Sequence, residues 1–263
     1  MTRRAVLLSL CIALTSAFLG SAVEAAPNQY IQHAMAPTGA LRVGVYRGSP
    51  SSIIEGATPS DAKGVGFDLG KALANKLGVP FQPVIYPANE SLLAAAAAGE
   101  VDVIFTNATA ERARVMDFSE TFMDVEKSFL VPAGSSLTQL SDFKRPGLHV
   151  GVSAGSSTAA ELRPLYPDLD IEPVATLKLG SDLLATHKLD AYATNDSILF
   201  QMSDGLPGSH VIAGSWGMEH FGAAIPKGRQ LALPFLRDFI ARARSDGTVA
   251  QAIERAALRG TVQ

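Results

Sequence analysis

The sequence predicts an α/β fold of two lobes, each a mainly parallel sheet flanked by helices, and three features of the chain carry that expectation. Short apolar runs alternate with segments of helical periodicity, the pattern of parallel strands joined by right-handed crossovers. The alternation stops near residue 125 and begins again at His149. A late segment from Phe221, followed by helical residues to 258, returns to the first unit. Such a chain needs two crossings, placed at 125–132 and 213–224; lobe 1 is then 38–125 with 221–263, and lobe 2 is 132–213.

Each element follows from local chemistry. Residues 41–46, LRVGVY, read as a buried strand, followed by a Gly/Ser/Pro loop at 47–52. Gly66-Phe67-Asp68 opens a helix with an apolar stripe of Leu69, Ala72, Leu73 and Leu77, closed by Gly78; Asp68 reads as its N-cap. Strands at 81–86 and 101–105 flank a helix at 91–98 that Gly99 closes. In the second unit a strand at 149–153 leads through Ala154-Gly155-Ser156-Ser157-Thr158 into a helix over AAELRPL, where Thr158 and Glu161 have capping-box spacing. A strand at 171–174, a helix capped by Ser181 and running to His187, and a strand at 189–194 follow; Asn195-Asp196 then opens another helix. Two closing helices occupy 229–258, split near Asp246-Gly247-Thr248.

The ends and the composition exclude several functions. Residues 1–25 read as a signal peptide: Arg3 and Arg4, an apolar run from Ala5 to Leu19, and small residues that set cleavage near Ala25. A periplasmic location is expected. The only cysteine, Cys11, falls inside this segment, so no thiol remains for a disulfide or a metal. The five histidines (33, 149, 187, 210, 220) show no close ligand spacing, and no cofactor is implied. A net charge of −3 without a basic patch argues against nucleic acid or an anionic membrane as partner.

The strongest chemical signal lies at 101–119, VDVIFTNATAERARVMDFS. An apolar strand ends in the polar turn Thr106-Asn107-Ala108-Thr109, and a short helix is expected after Thr109, with Arg112 about one turn into it. Ligands collect outside the carboxyl ends of strands in open α/β sheets. An arginine there offers a planar fork of donors suited to a carboxylate.

These residues resemble the periplasmic amino-acid-type solute-binding proteins of ABC importers, solute-binding protein family 3. The matching segments are LRVGV (41–45), GVGFDLGKALANKLG (64–78), AAGEVDVIF (97–105), TAERARVMDFSETF (109–122), LHVGVSAGSST (148–158), KLDAYATN (188–195) and SDGT (245–248). They cover nearly all of the chain after the signal peptide, in family order. The resemblance implies a type II periplasmic-binding-protein-like fold, a non-enzymatic monomeric receptor, and delivery of one small solute to an inner-membrane ABC permease. It also implies that Arg112 clamps the solute's carboxylate, that Asn107 and the backbone of Phe105 add contacts, and that the Gly155-Ser156-Ser157 turn meets the carboxylate from lobe 2.

The chain departs from the family pattern in three places. Asn195 stands where an aspartate usually pairs with the ligand's ammonium, with Asp196 one residue later. An amide cannot neutralise a buried cation, which leaves the ammonium open. Tyr46 stands where binders of basic amino acids carry an aspartate, and Ser49 lies near the usual stacking aromatic; a basic ligand is disfavoured.

Structural readings stand beside these. Asn195 and the Ser156–Thr158 hydroxyls are also ordinary helix caps, and Tyr46 is also a packing residue that lines the cleft. Glu219 beside His220 hints at a pH-sensitive pair, but a solvated hinge is the better account of both. Two other functions share the scaffold: a cyclohexadienyl-dehydratase-like enzyme, with Asp196, Glu219 or Glu111 as acid, and a periplasmic accessory or sensor protein.

Overall fold

The protein is described here by a computed structural model covering residues 29–56 and 58–262; the expected signal peptide and its cleavage site lie outside them. Helix α1 (Gln29–Met35) leads into β1 (Leu41–Tyr46), α2 (Val65–Leu77), β2 (Phe81–Tyr86), α3 (Asn89–Ala97) and β3 (Val103–Asn107). Short β4 (Met116–Phe118) and long β5 (Met123–Val131) follow. The second unit holds β6 (His149–Ser153), α4 (Thr158–Leu165), β7 (Asp170–Val174), α5 (Leu177–Ala185), β8 (Ala191–Asn195), α6 (Asp196–Asp204) and β9 (His210–Val211). The chain returns through β10 (Gly217–Pro226) to α7 (Leu233–Ser245), α8 (Thr248–Arg255) and β11 (Thr261–Val262).

Hydrogen bonding joins the strands in the order β2-β1-β3-β10-β5-β8-β6-β7. The pairs β1–β2, β1–β3, β6–β7 and β6–β8 are parallel, as the helical crossovers require. Between them β10 and β5 run antiparallel, Gly217 opposite Lys127 and Phe221 opposite Met123. The apolar cores divide into two lobes. One core gathers residues from 35–125 and 221–258; the others on the far side gather 129–216. Strand β5 belongs to both: Met123 and Val125 pack in the first core, Phe129 and Val131 in the second. Its inward period of two puts Lys127 on the same face, at the junction of the cores.

Local expectations mostly meet the structure, and the exceptions have physical causes. Helix α5 starts at Leu177, with the Thr176 hydroxyl accepting the Leu179 N–H, not at Ser181. Gly180 lies inside the helix as a packing glycine: a Cβ there would lie 2.6 Å from the Tyr192 ring. Strand β3 runs on to Asn107 because Phe221 of β10 pairs with it. Asp68 is no cap; it sits in the first turn of α2 and pairs with Arg255 of α8. The Thr158/Glu161 capping box does not form either, because the Glu161 carboxylate turns away to Lys127.

Candidate functional site

Strand ends from both lobes meet in a narrow cleft with about 30 Å³ of free space. Lobe 1 supplies Tyr46, Asn89, Phe105, Asn107, Arg112 and Phe221; lobe 2 supplies Ser153, Ser156, Thr194, Asn195 and Ile198, with Glu219 entering from β10. The lobes stand close together. A Cβ on Gly155 would come within 3.0 Å of Glu90 Cβ on α3, and the loop at Gly48 faces Leu177 of α5.

Arg112 follows a single 3-10 turn's worth of geometry, not a longer helix: the turn spans Arg112–Arg114, and the Arg112 N–H is held by the Thr109 hydroxyl at 3.2 Å. Its Nη1 donates to Thr106 Oγ1 at 2.8 Å and to the Asn107 carbonyl at 2.9 Å. Both acceptors are neutral, and among the described residues no carboxylate lies within 4 Å of the guanidinium. Burial pushes its pKa below the ordinary value, with the charge of Glu219 the strongest opposing influence. The group remains a cation throughout the physiological range, since arginine starts so high.

Asn107 is buried, and its Oδ1 accepts the His220 N–H at 2.9 Å, which ties β3 to β10. Phe105 lines the cleft and packs its ring edge-on against Phe122 at 6.0 Å. Tyr46 lines it too; burial pushes its phenol up to about 12, so it stays a neutral donor and acceptor. Ser156 faces the cleft, but its hydroxyl donates to the Ser153 carbonyl at 2.7 Å. The Ser157 hydroxyl is not part of the lining, and it is buried without a hydrogen-bond partner.

Asn195 is both a cap and a wall. Its Oδ1 accepts from Ser197 Oγ at 2.7 Å and from the Ile198 N–H at 3.2 Å, capping α6, while its Nδ2 donates to Glu219 Oε2 at 2.8 Å. Its oxygen is therefore committed to the helix. Glu219 itself is only 7 % exposed, so it is not solvated as the hinge reading expected, whereas His220 is exposed. His220 does not pair with it; the ring points outward to Asp124 at 2.6 Å. Strand alternation explains the split, since residues 219, 221, 223 and 225 share the inward face and 220 the outward one.

Lys127 was not anticipated. It is fully buried, bonded to Glu161 Oε2 at 2.7 Å, 3.7 Å from Glu219 Oε1, and 5.3 Å from the Trp216 ring centre. The alternation in MDVEKSFLV would have placed it inward had 123–131 been read as a strand. Asp196 lies outside the cleft lining; burial first, and the Glu126 carboxylate second, push its acid up to about 7.

Comparison with known proteins bears on the same residues. A glutamine-binding protein of Geobacillus stearothermophilus is 26 % identical over 131 residues, 49 % of this chain and 50 % of the relative. The chain thus spans about half the length of the curated relatives it matches first. Among solved structures, a mutant of ArgBP from T. maritima aligns with a TM-score of 0.76 at 21 % identity, covering 86 % of this chain and 99 % of that one. The ancestral amino acid-binding protein AncCDT-1, a precursor of cyclohexadienyl dehydratase, aligns at 0.73 with 22 % identity over 85 % and 98 %. These likenesses establish the two-lobed type II binding-protein fold. Residues 41–257, which contain both lobes and every wall of the cleft, match the bacterial extracellular solute-binding proteins, family 3, and the chain belongs to that family.

Proposed function

We propose that this chain captures an amino acid or a close carboxylate-bearing relative outside the cytoplasm, and delivers it to an ABC permease. One observation carries the reading: the Arg112 guanidinium is largely withdrawn from water, faces a cleft walled by both lobes, and has only neutral partners. A buried cation without a counter-ion is costly, and a bidentate carboxylate is the ligand that offsets that cost. The names of the glutamine-binding relative and the arginine-binding neighbour support an amino acid.

In this reading Arg112 holds the carboxylate, Asn107, Phe105 and Tyr46 shape the lobe 1 wall, and Ser156 and Asn195 close the lobe 2 wall. Segments 125–132 and 213–224 act as the hinge crossings. A ligand that touches both lobes favours the closed arrangement over the open one, so closure follows from differential binding. An enzymatic role would need one acid that is both raised in pKa and in the cleft. Asp196 has the first property and lies outside the lining.

The test is a thermal-shift and calorimetric screen of the protein against amino acids, keto acids and other small carboxylates. Stabilisation by a solute recovered unchanged is the expected result. Arg112→Ala should weaken that solute by at least about 30-fold, the low end for removing one partner of a buried charge pair. Unaltered affinity in the variant, or conversion of the solute, overturns the reading.

A further inference from the structure

We infer that Glu219, from the second crossing strand, receives the ligand's ammonium in place of the family's aspartate, and that the cleft therefore selects an amino acid of net zero charge. The inference rests on the amino-acid reading above and deepens it.

Three observations carry it. First, Asn195 has no oxygen to offer a cation, because its Oδ1 already caps α6 through Ser197 and Ile198. Its free function is the Nδ2 donor, and that donor is spent on Glu219 Oε2. The asparagine thus holds a carboxylate where the family's aspartate would supply one. Second, Glu219 is under-satisfied for a buried anion. Oε2 has one short hydrogen bond, whereas Oε1 has only Lys127 Nζ at 3.7 Å, and that ammonium gives its short contact at 2.7 Å to Glu161. An ionised carboxylate accepts several hydrogen bonds, so Glu219 has room for another donor.

Third, the cleft's charges match a zwitterion. Arg112 and Glu219 are the only charged side chains among the lining residues. A ligand carboxylate on Arg112 and a ligand ammonium on Glu219 leave the site neutral. A third ligand charge, on a basic or acidic side chain, finds no further opposite charge among the lining residues to compensate it. The Lys127–Glu161 pair, behind Glu219, is already balanced within itself.

The experiment measures calorimetric affinities of the wild-type protein for the proteinogenic L-amino acids, and pairs each binder with its α-hydroxy acid, which keeps the side chain and carboxylate but lacks the ammonium. A neutral amino acid should bind, and its hydroxy acid should bind at least about 30-fold more weakly. Glu219→Gln should weaken the amino acid by a similar factor and shift the hydroxy acid by less than about threefold, a split that a merely structural role would not produce. If Glu219→Gln fails to fold, Glu219→Asp keeps the charge beside Lys127, and should still weaken the amino acid about tenfold without moving the hydroxy acid. Equal losses for both compounds, no loss for either, or tighter binding of lysine or aspartate than of any neutral amino acid overturns the inference while the amino-acid reading stands. If the wild-type protein binds no amino acid and still binds another carboxylate through Arg112, the amino-acid reading fails and this inference falls with it.

Discussion

Replacing Asp196 by asparagine should stabilise the protein at high pH and leave it unchanged at low pH. Asp196 begins α6 in lobe 2, is 8 % exposed, and has one carboxyl oxygen buried without a hydrogen-bond partner. The C-terminal segment presses on it. A Cβ on Gly260 would lie 2.3 Å from Asp196 Cβ, the Gly260 carbonyl accepts the Glu126 N–H, and β11 pairs with β5 beside it. Arg259 is engaged with Asp204 and the Phe200 ring, so it leaves Asp196 uncompensated. Burial, and then the Glu126 carboxylate, raise the acid from its usual 3.8 to about 7.

The folded protein therefore holds a proton that the unfolded chain releases near pH 4. Stability from this group is complete below about pH 4 and is lost as pH rises through about 7. At roughly 1.4 kcal/mol per pH unit over that interval, the loss is on the order of 4 kcal/mol. The positive end of α6 favours the anion and offsets about 1 kcal/mol of it. Urea unfolding of wild type and Asp196→Asn at several pH values between 4.5 and 8 checks the prediction. The variant should exceed wild type by no more than about 1 kcal/mol near pH 4.5 and by about 3 kcal/mol at pH 8. A difference that is constant across this range would refute the account.

Other expectations follow from single contacts. Asp102 is fully buried between Arg42 at 2.7 Å and Arg229 at 2.9 Å, so Asp102→Asn should cost about 3–5 kcal/mol in chemical denaturation. Gly155 has φ +69° and meets Glu90 across the cleft; Gly155→Ala should lower ligand affinity more than it lowers the melting temperature of the unliganded protein, because the Glu90 clash belongs to the closed lobes. Trp216 is the only tryptophan, and its indole N–H donates to the Ser128 carbonyl beside Lys127 at the lobe junction. Its emission should change on ligand binding in the wild-type protein and stay constant in Arg112→Ala titrated with the same solute.

Much of this protein is legible from one dimension, and the reason is locality. The alternation of strands and helices, the closure of α2 at Gly78, and the placement of Arg112 just past a strand end depend on residues within a turn or two of each other. The family match spans them, over residues 41–257. The Arg112 side of the cleft was therefore readable before any coordinates. The other side was not. Asn195 and Glu219 are 24 residues apart, and only the pairing of β5 with both β8 and β10 brings them to 2.8 Å. Lys127 and Glu219 sit in strands whose alternation was legible, yet a charged residue in such a pattern is normally turned to water. What turned these inward was the meeting of two lobes, which buries the strands that cross between them and obliges their charges to find one another. The local sequence decided where an arginine would face the cleft; the tertiary structure decided which residue stands opposite it.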